Sequence, residues 1–227
     1  MSSVYIPRSI YNMRYFNIYL LSIISFALYS CSSEPARKLP ILGTREPVEK
    51  TVNGQLVVDT IYQTIPDFNF LNQDSVSVTN KDFDGKIYVA DFFFTSCPSI
   101  CPIMHRNLLK IYDEFKDNKD VKLVSHTIDF KYDTPSKLKR YADKLGVAGT
   151  QWEFLNGPQE QVYQIAEKNY LVAVGVDKDS PGGYIHQGWM ILVDKEKRLR
   201  GAYDGTDEKQ MAQLSEDMKT LLEEYKN

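Results

Sequence analysis

Ile87-Tyr88-Val89-Ala90-Asp91-Phe92-Phe93-Phe94-Thr95-Ser96-Cys97-Pro98-Ser99-Ile100-Cys101-Pro102 is the stretch on which the fold turns. Its first half, Ile87–Phe94, is an almost unbroken apolar run, which suits a strand covered on both faces. The run ends in two cysteines at i and i+4, so two thiols stand on the lip of a sheet, where neighbouring N–H groups stabilise thiolate. Such a pair either exchanges electrons as a disulfide or holds a soft metal ion. Pro98 and Pro102 make Cys97–Pro102 a loop leading into a helix. A purely structural bridge is disfavoured, because closing a three-residue loop removes little chain entropy. Asp91 is the polar exception in the strand; a buried carboxyl needs a partner, which the sequence does not name.

Working outward, Leu56–Ile65 reads as a first strand and Phe68–Phe70 with Val76–Val78 as a hairpin. Past the cysteines, Leu108, Leu109, Tyr112 and Phe115 form a helical stripe, and Val121–Ile128 is a second core strand. Thr134-Pro135 opens a helix that carries Leu138, Tyr141, Ala142 and Leu145 and stops at Gly146. Trp152–Leu155 is a short strand, Gly157-Pro158 introduces another helix, and Val174–Gly183 is a loop. Trp189–Val193 pairs with Leu199–Tyr203, and Asp207–Tyr225 is an amphipathic helix. This order predicts an α/β class and a thioredoxin-like fold with an extra N-terminal β-hairpin.

Residues 1–30 read as an export signal: Arg8 and Arg14 precede the uncharged, mostly apolar Tyr15–Tyr29. Leu28-Tyr29-Ser30-Cys31 resembles a lipobox, which predicts cleavage before Cys31 and lipid on that cysteine. An uncleaved anchor is the alternative, but the apolar run is shorter than the roughly 18 residues a span needs. Residues 31–54, rich in Pro, Ser and charge up to Lys50, then form a tether, and 55–227 the domain.

The chain has three cysteines; with Cys31 lipidated, Cys97 and Cys101 remain as a pair in an oxidising compartment. Without residues 1–30 the chain keeps 197 residues, and its net charge moves from −3 to −5. That balance gives no case for nucleic acid. A hydrophobic content of 43% indicates a globular body that needs no disulfide staples.

Three histidines are available as a third ligand. His105 lies about 12 Å along the helix axis from Cys97, too far for a shared ion, and reads as a polar residue on an exposed helix face. His126, inside the second core strand, is expected to pack and hydrogen-bond within the sheet. His186 stands in the glycine-flanked segment Gly182-Gly183-Tyr184-Ile185-His186-Gln187-Gly188, from which an imidazole could swing over the thiols.

Three pieces together resemble the Sco/SenC family: Asp91–Pro102, like F-x-F-T-x-C-P-x-x-C-P; Asp129-Phe130-Lys131-Tyr132-Asp133-Thr134-Pro135, like D-P-x-x-D-T-P; and His186 with Leu192-Val193-Asp194. The resemblance runs from about Pro66 to the C-terminus. It implies a thioredoxin-fold protein that binds one copper ion, as Cu(I) or Cu(II), through Cys97, Cys101 and His186. It also implies a part in assembling the copper centre of cytochrome c oxidase; with the lipobox-like segment at Cys31, the expectation is delivery of that ion to the oxidase copper-centre subunit or another acceptor from a lipid anchor in the cell envelope. Ser99, Phe130 and Gln187-Gly188 depart from the family pattern without removing a ligand. Asp129 borders the site, and Asp133 reads as a residue near the helix N-cap.

A second class stays open. Cys97 as nucleophile and Cys101 as resolving thiol would make a thiol–disulfide oxidoreductase, although C-x-x-x-C is not the usual redox spacing. A thiol peroxidase fits poorly, because Thr95 lies two residues before Cys97 where that family places Thr or Ser three before.

Overall fold

The fold is built around β5 (Ile87–Phe93), the strand of the opening stretch, in which every residue is buried. In the computed structural model, which describes residues 37–226, β5 lies in the middle of a five-stranded sheet of order β11-β10-β5-β6-β7. β6 (Val121–Thr127) and β7 (Trp152–Leu155) run parallel to it, as their helical crossovers require. β10 (Trp189–Val193) and β11 (Leu199–Asp204) are antiparallel, joined by the turn at Asp194–Arg198. This is the expected thioredoxin-like plan.

Among the described residues four α-helices accompany the sheet. α1 (Cys101–Phe115) and α4 (Glu208–Glu224) touch one another, and α4 also packs on β5 and β11. α2 (Pro135–Leu145) packs on β7. α2 begins with Pro135 in its first turn, where the missing N–H costs nothing, and ends at Gly146 with φ 74°. There the N–H groups of Gly146 and Val147 return to Asp143 O and Ala142 O at 3.1 and 3.0 Å, closing the last turn. α3 (Gln159–Ile165) widens into a π turn over Ala166–Tyr170. Asp207 caps α4, its Oδ1 accepting from the N–H groups of Lys209 and Gln210 at 2.8 and 3.3 Å.

Two hairpins precede the central strand. β3 (Asn69–Leu71) and β4 (Ser77–Thr79) form the expected one. It covers the β7 edge through the Leu71–Asn156 bridge and a bond from buried Asn72 Nδ2 to Glu153 Oε2 at 2.9 Å. The other is a ribbon of β1 (Arg45–Val52) and β2 (Gln55–Tyr62), exposed on both faces and turned at Asn53-Gly54. β1 therefore replaces much of what read as tether.

The chain just before the ribbon is also held. Leu39 is buried, and Leu42 N–H donates to Leu199 O at 2.8 Å. Buried Arg200 donates to Leu39 O at 2.7 Å and Pro40 O at 3.1 Å while pairing with Asp194 and Glu224. Proline and charge marked this stretch as open, but its carbonyls are the partners that let an arginine be buried. Cys31 lies outside the described residues. No helix among the described residues is long and apolar enough to cross a membrane.

Candidate functional site

β5 delivers the chain into the cysteine loop at the carboxyl end of the parallel strands. Cys97 N–H donates to Phe94 O at 3.1 Å, and α1 then starts at Cys101 with Pro102 in its first turn. The proline that argued for a loop is thus accommodated by the helix start.

The loop is fixed by Asp133. Its carboxyl group accepts from Thr95 N–H at 2.9 Å, from the Thr95 hydroxyl, and from the Thr127 hydroxyl at 2.6 Å. Burial raises the pKa of Asp133, and these bonds offset only part of that rise. The expected capping role is not what the side chain does: Thr134 is the N-cap of α2, with no side-chain cap bond. Asp133 instead ties the residue two before Cys97 to the end of β6.

Both cysteines are buried and reduced, and Cys97 Sγ lies 3.6 Å from the Ser99 hydroxyl. The Cys101 thiol is pushed far up, first by its hydrogen bond with Cys97, then by burial, then by negative charge on Cys97. The thiols are therefore within hydrogen-bonding reach, and the Cys101 proton is hard to remove. A cation shared between the sulfurs would relieve that penalty, because it replaces the proton and neutralises the thiolates.

His105 is not on an exposed face. It is fully buried under the loop, with Nε2 2.8 Å from Asp91 Oδ2 and Nδ1 2.8 Å from the Tyr141 hydroxyl. Ser125 Oγ donates to Asp91 Oδ1, and Trp152 Nε1 donates to Ser125 Oγ at 2.9 Å. With Nε2 protonated, Tyr141 donates to His105 and His105 to Asp91, so every polar group in the chain is matched. Asp91 thus has the partner its burial demanded. The signal for His105 was its spacing with Cys101, Met104 and Leu108, all buried on the same helix face.

His126 packs as expected but does not hydrogen-bond. Its ring stacks on Phe92 at 5.2 Å and meets Phe68, Phe70 and Tyr170 at 5.8 Å, and neither ring nitrogen has a partner. Burial lowers its pKa to about 4 from 6.5. The unfolded chain therefore takes up the proton first as pH falls, and stability present above pH 6.5 is lost between 6.5 and about 4. The expected loss is about 3 kcal/mol. Urea unfolding at pH 7 and pH 4 should show this loss, and a His126→Phe chain should lack that share of it. Equal pH dependence in the two chains would count against the assignment.

His186 ends β9 (Tyr184–His186), which pairs with β8 (Val174–Val176), so the expected loop is a short hairpin. The side chain of His186 lies outside what the structure describes, but glycines on either side of it come close to the residues around the cysteines. A Cβ on Gly182 would stand 2.7 Å from the Phe94 ring and 3.1 Å from Pro98; one on Gly188 would stand 3.6 Å from Ile100 and 3.7 Å from Met104 Sδ. The chain on either side of His186 thus runs close to residues in and around Cys97–Cys101. The histidine is two residues from the second contact, within about 7 Å of chain. The Tyr184 ring packs against Phe94 at 5.1 Å, tilted by 51°, and its hydroxyl is pushed up to about 12, first by burial and then by its bond to Asp129. Asp129 therefore borders the site by holding this hairpin. Among the described residues no three His, Cys, Asp or Glu side chains cluster as a metal site.

Comparison with known proteins places these features. The family model described as SCO1/SenC matches residues 59–223. A SCO1/SenC family lipoprotein of Bacillus anthracis is 30% identical, with 71% of this chain and 96% of that one covered and a TM-score of 0.65. BsSco, described with a disulfide switch and as a member of the Sco family of cytochrome c oxidase assembly proteins, is 28% identical over 71% of this chain and 94% of its own, with a TM-score of 0.62. A Stutzerimonas stutzeri protein whose name carries the words copper-binding protein is 27% identical over 145 residues, 61% of this chain and 68% of that one.

Proposed function

The chain belongs to the SCO1/SenC family, and we propose that it is a copper chaperone of the cell envelope, anchored by lipid on Cys31, that passes one copper ion to an oxidase copper centre or another acceptor. The observation that carries this reading is that the segment holding His186 is flanked by glycines close to Phe94, Pro98, Ile100 and Met104, the residues around two hydrogen-bonded thiols. Cys97, Cys101 and His186 form the proposed ligand set. Two thiolates favour Cu(I), and an imidazole extends tolerance to Cu(II). Hand-over follows by exchange, an acceptor ligand replacing one of these three while the other two hold the ion. The copper-binding and oxidase-assembly relatives support the cargo and its destination, and the Bacillus anthracis lipoprotein supports the anchor.

Titration of the reduced chain with Cu(I) against a chromogenic chelator is expected to give one tightly held ion. In His186→Ala the affinity should fall by more than about tenfold. Undiminished binding in that variant would remove His186 from the ligand set.

A second reading rests on the same sulfurs. The thiol contact and the raised Cys101 suit disulfide exchange, with Cys97 attacking and Cys101 resolving. The disulfide switch described for BsSco supports this as a companion activity. Disulfide exchange should survive His186→Ala, whereas copper retention should not.

A further inference from the structure

Beside the cysteine loop lies an open cavity of about 630 Å³, walled by Thr95, Tyr132, Tyr141 and the α2 side chains Lys137, Arg140 and Lys144. Its position ties it to the thiols: Thr95 is two residues before Cys97, and Tyr141 is the hydroxyl that bonds His105 beneath the loop. Its charge is the reverse of the chain's, which is −3 overall. The lining acid, Asp143, already faces Lys139 at 3.4 Å. Among the described residues Arg140 and Lys144 make no ion pair or hydrogen bond, and Lys137 lies over the Tyr132 ring. Unpaired cations in a concavity present a field that an anionic group can complete.

We propose that this cavity receives an acidic stretch beside the reactive cysteine of the protein that exchanges ligands or electrons with Cys97. The inference rests on reading Cys97–Cys101 as an exchange site and adds the chemistry of its partner. A cysteine brought to Cys97 sets its neighbouring residues over Thr95 and α2, where carboxylates meet Lys137, Arg140 and Lys144. Charge complementarity favours such a segment over an apolar one.

The test uses the reduced full chain and two synthetic peptides, Asp-Asp-Cys-Gly and Asn-Asn-Cys-Gly, each carrying its cysteine as a 2-pyridyl disulfide. The Cys97 thiolate attacks the peptide sulfur and releases 2-thiopyridone, which keeps the electron pair of the broken S–S bond and takes up a proton. Cys101, losing its own proton, then displaces the peptide thiol. The chain ends as the Cys97–Cys101 disulfide, two electrons poorer, and the reagent two electrons richer. At low salt the acidic peptide should react about tenfold faster than the neutral one. In Arg140→Glu/Lys144→Glu that ratio should fall to one or below, with the neutral peptide's rate unchanged.

Equal rates for the two peptides in the parent chain, or equal slowing of both in the variant, would overturn the proposal. Loss of the advantage in millimolar succinate, at matched ionic strength, would assign the cavity to a small dicarboxylate and likewise overturn it. Copper titration of the same proteins separates the two readings. Absent copper binding with an intact acidic preference sinks the cargo reading alone; intact copper binding with no preference sinks only this one.

Discussion

Replacing either Cys97 or Cys101 by serine is expected to abolish stable copper binding, with a loss of affinity of well over a hundredfold. Removing a group that merely orients a ligand already costs about 10–100-fold, and each cysteine is one of only two soft donors proposed here. Serine has nearly the same shape, and Cys97 lies on a loop held from outside by Thr95 and Asp133, so the fold should be kept. The check is Cu(I) retention against a high-affinity chelator beside the far-ultraviolet circular dichroism spectrum. A Cys97→Ser chain that folds and retains its ion would show that the metal is held elsewhere.

The largest effect on stability should come from His105→Leu. Leucine fills much of the space but leaves the Asp91 carboxyl group and the Tyr141 hydroxyl facing each other's empty positions. Breaking a buried pair by removing one partner costs about 3–5 kcal/mol, because the survivor stays desolvated. Asp91 retains Ser125, which places the loss toward the lower end. Denaturant unfolding of parent and variant at pH 7 measures it. The double change Asp91→Leu/His105→Leu, which removes both polar members, should be less harmful than the sum of the two singles. A change below about 1 kcal/mol in His105→Leu would mean that the pair contributes little beyond packing.

The central architecture was legible because its signals are strong and local. An apolar run of strand length, a proline at one end of α2 and a glycine at the other each have one structural use. What the sequence hid was the set of polar partners within the core. Asp91 could be flagged but not paired, since His105 is 14 residues away and only the β5–α1 crossover brings them together. His105 was misread because its distance from Cys97 along a helix axis says nothing of which face it occupies. Asp133 stands where a cap is expected, yet the loop it bonds is 38 residues upstream.

β1 was missed for a different reason. β1 is wet on both faces and shows no apolar alternation, so unlike β2 its one signal was the Asn53-Gly54 turn, and Pro47 with the surrounding charges spoke for open chain. The thiols and their adjacency were readable from spacing, whereas the approach of the His186 hairpin depends on two glycine contacts that no spacing reveals.

That ribbon, Arg45–Tyr62, buries almost nothing. Its melting and re-forming can proceed without disturbing the cysteine loop or the sheet, since the chain is clasped again at Leu39–Leu42 on one side and at Ile65 on the other. The tip at Asn53-Gly54 is therefore a natural point for grafting an affinity tag or a fluorophore, leaving the working surface on the β5 side undisturbed.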